Sequence, residues 1–249
     1  MYANKIRHAA LAGALALAAL GGARPARAFN MFMPSVSDQQ KVGDAAAKDI
    51  EKKNKIIAGP KLDRVQRVGG KLVASLSNTD RTRWNFRFHV IESKDVNAFA
   101  IPGGNMYIYT GLLDRIRTDD ELAAVMGHEM AHVYKQHWAR MEAESQKRSL
   151  GLAAVLGFSK ASKGWYDVAG LANNVADLRY SRKDEDQADE AGLNNMFRAG
   201  YNPQGMLDLF AILQQAGGSG GSMPAFLRDH PMTSTRIQKT KDRIAKLKR

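Results

Sequence analysis

The stretch MGHEMAHVYKQH, Met126–His137, holds three of the chain's six histidines. On an α-helix, positions four apart share one face, so His128 and His132 of H-E-M-A-H can reach a single cation. Glu129, one residue on, stands about 100° around the helix, beside that cation rather than on it, where it can take a proton from activated water. Val125, Met126, Gly127, Met130, Ala131, Val133 and Tyr134 are uncharged, as a motif at the floor of a cleft requires. The plain alternative is two surface histidines paired with neighbouring acids. His137 is five residues past His132, about 140° away, and is placed outside the site. A third histidine at 138, with glycine near 135, would extend the motif, but those positions are Trp138 and Lys135. The third ligand must come from elsewhere.

The candidate is YSRKDEDQADEAG, Tyr180–Gly192. Glu185 and Asp189 are four apart and share a helix face, so Glu185 could bind the cation while Asp189 fixes a ligand histidine from behind. Asp184, Asp186 and Glu190 point elsewhere. On spacing alone this acidic helix could equally be a solvated face. With no cysteine in the chain, a transition-metal site must use histidine and carboxylate, a donor set that suits Zn2+ at about 2.0–2.2 Å.

Working outward, Thr118-Asp119-Asp120-Glu121 is a capping box that opens the helix carrying the motif, expected to run to about Lys147. Upstream, helical spacing covers Asp38–Ile57 and the series Leu62, Val65, Val68, Leu72, Val73, Leu76, broken at Asn78-Thr79-Asp80. Alternation marks strands at Trp84–Val90 and Asn105–Thr110, with a shorter extended piece at Ala98–Ala100. Downstream, helices are expected at 149–158, 164–180, 182–199, 203–216 and Ser234–Lys248, and GGSGGS, Gly217–Ser222, is a flexible loop. No internal repeat is found. The expected fold is α+β, mainly helical, with a small three-stranded sheet confined to residues 84–110 beside the motif helix.

The N-terminus reads separately. Lys5, Arg7 and His8 precede the apolar run Ala9–Leu20, and Ala26-Arg27-Ala28 offers a small-residue cleavage site, the layout of a secretory signal peptide. The expected division is a signal peptide over 1–28 and a single domain over 29–249, with export to the periplasm. Formal charge is +12. Four cations lie in the first 28 residues, which leaves about +8 and favours contact with anionic surfaces, membrane headgroups included. No basic stripe interleaved with aromatics appears, so no nucleic-acid partner is expected.

Several further residues draw attention. Asn97, Ala98 and Phe99, with the turn glycines Gly103 and Gly104, could form a sheet edge that pairs with an extended polypeptide; the plain reading is a hairpin turn. His230 in RDHPM could cap a loop, stabilise an oxyanion, or act as a reversible fourth ligand. Arg182 could serve the oxyanion, although pairing with an acid of its own helix is the preferred reading, and Arg236 is similarly open. Ile237, Ile244 and Leu247 form a narrow stripe by which the basic last helix docks, leaving Lys and Arg in water.

The pairing of HEMAH with YSRKDEDQAD, preceded by NAFAIPGGNMYIYTGLL and followed by DHPMTSTRI, resembles the HtpX/Ste24-type family of zinc metallopeptidases, in its soluble, exported BepA-like branch. The resemblance covers residues 38–245. It implies a zincin-like domain with His128, His132 and Glu185 as zinc ligands and Glu129 as catalytic base. The family often carries a C-terminal tetratricopeptide repeat domain; none is expected within these 249 residues. The implied function is a zinc-dependent endopeptidase of the bacterial cell envelope. Its substrates would be misfolded or stalled exported proteins, and it would sit in the periplasm, with outer-membrane association as a variant. A chaperone or assembly factor that binds unfolded envelope proteins with little cleavage is the alternative.

Overall fold

A computed structural model describes residues 32–155, 178–218 and 223–247. The expected signal peptide and most of the helix expected at 164–180 lie outside them; the described end of that span, Leu178–Tyr180, is not helical. In chain order the first elements are α1 (Val36–Lys53), β1 (Ile56–Ile57), α2 (Pro60–Ala74), α3 (Asn78–Arg83), β2 (Arg87–Ile91), β3 (Ala98–Ala100) and β4 (Asn105–Tyr109). There follow α4 (Thr110–Leu113), α5 (Asp119–Tyr134), α6 (His137–Val155), α7 (Arg182–Arg198), α8 (Gln204–Gly218), α9 (Ala225–Asp229) and α10 (Ser234–Lys246).

The sheet has four strands, not three, in the order β1-β2-β4-β3. The added strand is Ile56–Ile57, antiparallel to β2 through Ile56↔Ile91 and Ile57↔Val90. Two residues carry no alternation, so the sequence pattern had merged them with the preceding helix, which in fact ends at Asn54 in an extended conformation. The strand expected from Trp84 begins only at Arg87, because Ser77 caps a short helix through the Asp80 N–H and Trp84 closes it. β2 and β4 run parallel, while β3 pairs antiparallel with β4 and leaves its other side without a strand partner among the described residues.

Alternation along the sheet divides the core in two, since successive side chains face opposite sides. Val90, Ala98, Ala100, Met106 and Ile108 face a large cluster built with α2, α5, α7 and α8. Ile91, Phe99 and Tyr107 face a smaller one with Val42, Ala46 and Ile50 of α1 and Trp138 and Ala139 of α6. α5 is buried on every face from Glu121 to Tyr134, so its ionisable side chains have to find partners inside the protein. Its capping box is present, with Thr118 accepting from the Glu121 N–H.

α5 does not continue to Lys147. It stops at Lys135, and Gln136 takes the left-handed conformation at φ 57°, uncommon for a residue other than glycine. The Gln136 side chain accepts a 3.0 Å hydrogen bond from Gln39 of α1, a long-range tie that holds the bend. α6 therefore starts at His137 in a new direction.

α5 and α7 meet at glycines. A Cβ on Gly192 would lie 2.8 Å from the Gly127 carbonyl carbon and from the His128 nitrogen, and one on Gly127 would lie 3.0 Å from the Gly192 oxygen. Both obstacles are backbone, so the helices must part to admit a methyl. Gly192→Ala is expected to destabilise the fold by about 1–3 kcal/mol, the usual range for overpacking, read as a lowered midpoint in thermal unfolding. An unchanged midpoint would show that the two helices can separate freely.

Candidate active site

His128, Glu129 and His132 come from α5, Glu185 and Asp189 from the first turns of α7, His230 from the end of α9, and Arg236 from α10. Ser181 caps α7 by accepting from the Asp184 N–H and sets the turn on which Glu185 begins. His128, His132, Glu185 and His230 are all buried, and one donor atom from each lies within 4.8 Å of the others. His128 Nε2 is 3.1 Å from His132 Nε2 and 3.2 Å from His230 Nδ1. The Glu185 oxygens stand 3.6 Å from each α5 imidazole and 2.9 Å from His230 Nδ1.

This arrangement fits a metal on its own terms. The His128 Nδ1 lies 3.0 Å from Asp189 Oδ1 and must donate to that carboxylate, which leaves Nε2 as a lone pair. That lone pair is aimed at two further imidazole nitrogens, from His132 and His230, a convergence of basic nitrogens that a shared cation can occupy. Three histidines and one carboxylate are a donor set that zinc accepts.

Around the cluster, Arg236 grips Asp189 with two 2.7 Å hydrogen bonds, from Nε to Oδ2 and from Nη2 to Oδ1, and places Nη1 2.8 Å from Glu185 Oε2. It thus occupies the place considered for Arg182, which is exposed at the start of α7 and has no contact with the cluster. Burial alone would raise the Asp189 carboxyl, but hydrogen bonds from Arg236 and His128 hold it well below the usual range. Burial also works against charged Glu185, and is outweighed by His230, His128 and Arg236. His230 is pushed down by burial yet ends at about 9, because Glu185 and Glu129 face it.

Glu129 is the exception. Burial raises its carboxyl above the ordinary value despite the neighbouring imidazoles. Its Oε2 accepts a 3.1 Å hydrogen bond from the Ala100 N–H, while Oε1 has no hydrogen-bond partner and lies 3.5 Å from His230 Nε2. The unpaired side of β3 therefore opens onto Glu129. Phe99 pairs inward with Tyr107, and Asn97 is buried, its side chain accepting from the Ala98 N–H at 2.9 Å. Gly103 and Gly104 are not on this edge. They form the β3–β4 turn at φ 89° and 116°, closed off by the backbones of Gln40 and Asn85.

Three contributors escaped the sequence pattern. His137 is not among the four converging groups, yet its Nδ1 is 2.8 Å from His132 Nδ1, because the bend at Gln136 turns it back. Tyr180 stacks on His132 with ring centroids 4.1 Å apart. Arg236 was visible only as an unassigned cation. The aromatic Tyr180 beside the acidic run was the one available local signal.

A bent-off helix bearing H-E-x-x-H, a carboxylate helix locked against it and a sheet edge alongside define a domain built around a buried metal-binding cluster. The sequence pattern of Peptidase family M48 matches residues 61–244, and the chain belongs to that family. It is 30% identical over 216 residues to the "Putative beta-barrel assembly-enhancing protease" of Vibrio cholerae, which covers 83% of this chain and 44% of that one. It is 32% identical over 177 residues to the "Mitochondrial metalloendopeptidase OMA1" of Schizosaccharomyces pombe, covering 69% and 50%. With the "Metalloprotease LoiP" of Escherichia coli it shares 27% over 222 residues, 88% of this chain and 86% of that one. The chain thus spans about half the length of the first two relatives.

Removing Arg236 would leave Glu185 and Asp189 buried side by side without their cation. Arg236→Ala is expected to cost the metal-free protein about 3–5 kcal/mol, the range for breaking a buried ion pair from one side, measured by urea denaturation. A loss below about 1 kcal/mol would mean that the two carboxylates are not charged in the fold.

Proposed function

We propose that the protein is a zinc-dependent endopeptidase that hydrolyses peptide bonds in misfolded or stalled exported polypeptides of the bacterial cell envelope. The observation that carries this reading is the placement of Glu129. It lies beside the four-donor cluster without belonging to it, with one oxygen anchored on the sheet edge and the other without a hydrogen-bond partner. His128, His132 and Glu185 would hold the ion, with His230 as a fourth donor or as the group facing the developing negative charge. When bound, zinc supplies Lewis acidity toward a carbonyl and lowers the pKa of water. Glu129, its carboxyl raised by burial, would take at Oε1 a proton from the water that adds to the scissile carbonyl carbon, and return it to the amine nitrogen as the C–N bond breaks.

The unpaired side of β3 supports an extended substrate. The Ala98 and Ala100 N–H groups are taken by Asn97 and Glu129, so main-chain hydrogen bonds to a substrate would fall to the carbonyls of that edge, and would select chains without fixed structure and with little side-chain preference. Two of the relatives named above are called proteases or metalloproteases of bacteria, which is in keeping with an envelope role. The signal-like segment over residues 1–28 supports removal of that segment on export to the periplasm, and among the described residues no helix is long and apolar enough to cross a membrane. Contact with anionic lipid at the outer membrane would fall to the basic residues of α10. Lys239 and Arg243 there are engaged with Asp186 and Glu190, while Ile237, Ile244 and Leu247 pack on the core.

Glu129→Gln tests the reading. It is expected to lower cleavage of an unfolded casein by about 10²-fold or more, with zinc content held at one ion per chain and substrate binding retained. Cleavage at the wild-type rate would overturn the assignment, and an assisting activity that persists in this variant would favour the assembly-factor alternative.

A further inference from the structure

His137 lies outside the four-donor cluster, and nothing in the chemistry above uses it. It is nonetheless fully buried, with one hydrogen-bond partner at each ring nitrogen. Nδ1 lies 2.8 Å from His132 Nδ1, and Nε2 lies 3.0 Å from Gln187 Oε1. Gln187 sits on α7 between Glu185 and Asp189, and the same oxygen accepts a 2.9 Å hydrogen bond from Arg140 Nη2.

These contacts leave one consistent set of protons. A guanidinium has donors and no acceptor, so the Gln187 atom facing Arg140 is its oxygen. That oxygen can only accept from His137, so His137 Nε2 carries the hydrogen. With His137 neutral, its Nδ1 is then a lone pair, and the 2.8 Å contact requires His132 Nδ1 to be the donor. His132 Nε2, the atom that faces His128 and Glu185, is thereby left bare. An imidazolium at His137 would reverse the last step, but the groups facing it oppose that. Arg140 is adjacent and cationic, and it takes up Asp184 at 3.0 Å, leaving that carboxylate 3.8 Å from His137 Nε2.

We propose that Arg140, Gln187 and His137 form a relay that fixes the tautomer and ring orientation of His132, so that its Nε2 is presented to the metal. His137 is a positioning residue in this account. It does for His132 what the Asp189 carboxylate does for His128, but without adding charge to the site. The inference rests on the reading of the cluster as a zinc site.

The test uses the full-length chain, loaded with zinc and metal-free. Zinc affinity is measured by competition with a chromophoric chelator, and histidine tautomers by side-chain 15N–1H correlation spectra. His137→Leu, which removes the acceptor, is expected to weaken zinc binding about 10–100-fold. His137→Asn, whose Oδ1 can replace Nδ1 as acceptor, is expected to restore affinity to within about threefold of wild type. Gln187→Leu should also weaken binding, and it keeps the proposal testable if His137→Leu does not fold. In the zinc-loaded wild type, His137 should appear as the Nε2–H tautomer and His132 as Nδ1–H. A His137 found as Nδ1–H or as imidazolium overturns the relay, as does wild-type affinity in folded His137→Leu or Gln187→Leu. Failure of the wild type itself to bind zinc would instead sink the reading of the site on which the relay depends.

Discussion

The contact between the backbones of Gly127 and Gly192 sets the distance between α5 and α7, and the site depends on that distance. Glu185 is two turns from Gly192 and His128 is next to Gly127, so the glycine crossing acts as a pivot close to both halves of the cluster. At this separation the Glu185 oxygens reach 3.6 Å from both α5 imidazoles. A wider crossing would take the carboxylate out of range while leaving either helix intact. Small residues here serve geometry rather than flexibility, because what they exclude is any atom between two main chains.

That close packing buries seven ionisable groups together, His128, Glu129, His132, Glu185, Asp189, His230 and Arg236, which is tolerable only because they neutralise one another in contact. Arg236 is the common partner, fastening Asp189 through two hydrogen bonds and facing Glu185. Isolated charges in such surroundings are strongly disfavoured, and the paired carboxylates accordingly stay ionised. Glu129, with imidazoles but no guanidinium against it, is instead shifted by burial toward its protonated form. Two glutamates of one site thus acquire different proton affinities from their neighbours, the usual way in which a single cluster separates binding from proton transfer. The two α5 histidines are likewise held by unlike partners, a carboxylate behind His128 and a neutral imidazole behind His132.

The sheet adds the third side. β3 is short and buried, but only one of its edges is used by β4. The other meets Glu129 through Ala100, and the backbone beyond it meets Phe226 of α9, whose N–H donates to Val96 O at 3.3 Å. The segment that carries His230 is therefore tied to the same edge as the proton-transfer candidate.

Local periodicity was enough to place His128 and His132 on one face, to begin their helix at the Thr118 capping box, to set Met106 and Ile108 opposite Tyr107, and to mark the apolar stripe of the last helix. Each of these depends on a repeat of 3.6 or 2 residues within one element. The amino-acid order left open which acid of Tyr180–Gly192 turns inward and whether Arg182 or Arg236 joins it, and it set His137 outside the site without showing that its ring returns to His132. Those outcomes are decided between elements. Glu185 depends on the glycine crossing, Arg236 on how α10 docks, and His137 on a left-handed Gln136 held from α1 by Gln39. Ile56–Ile57 became a strand for the same reason, since two residues acquire that conformation only from the neighbour they pair with.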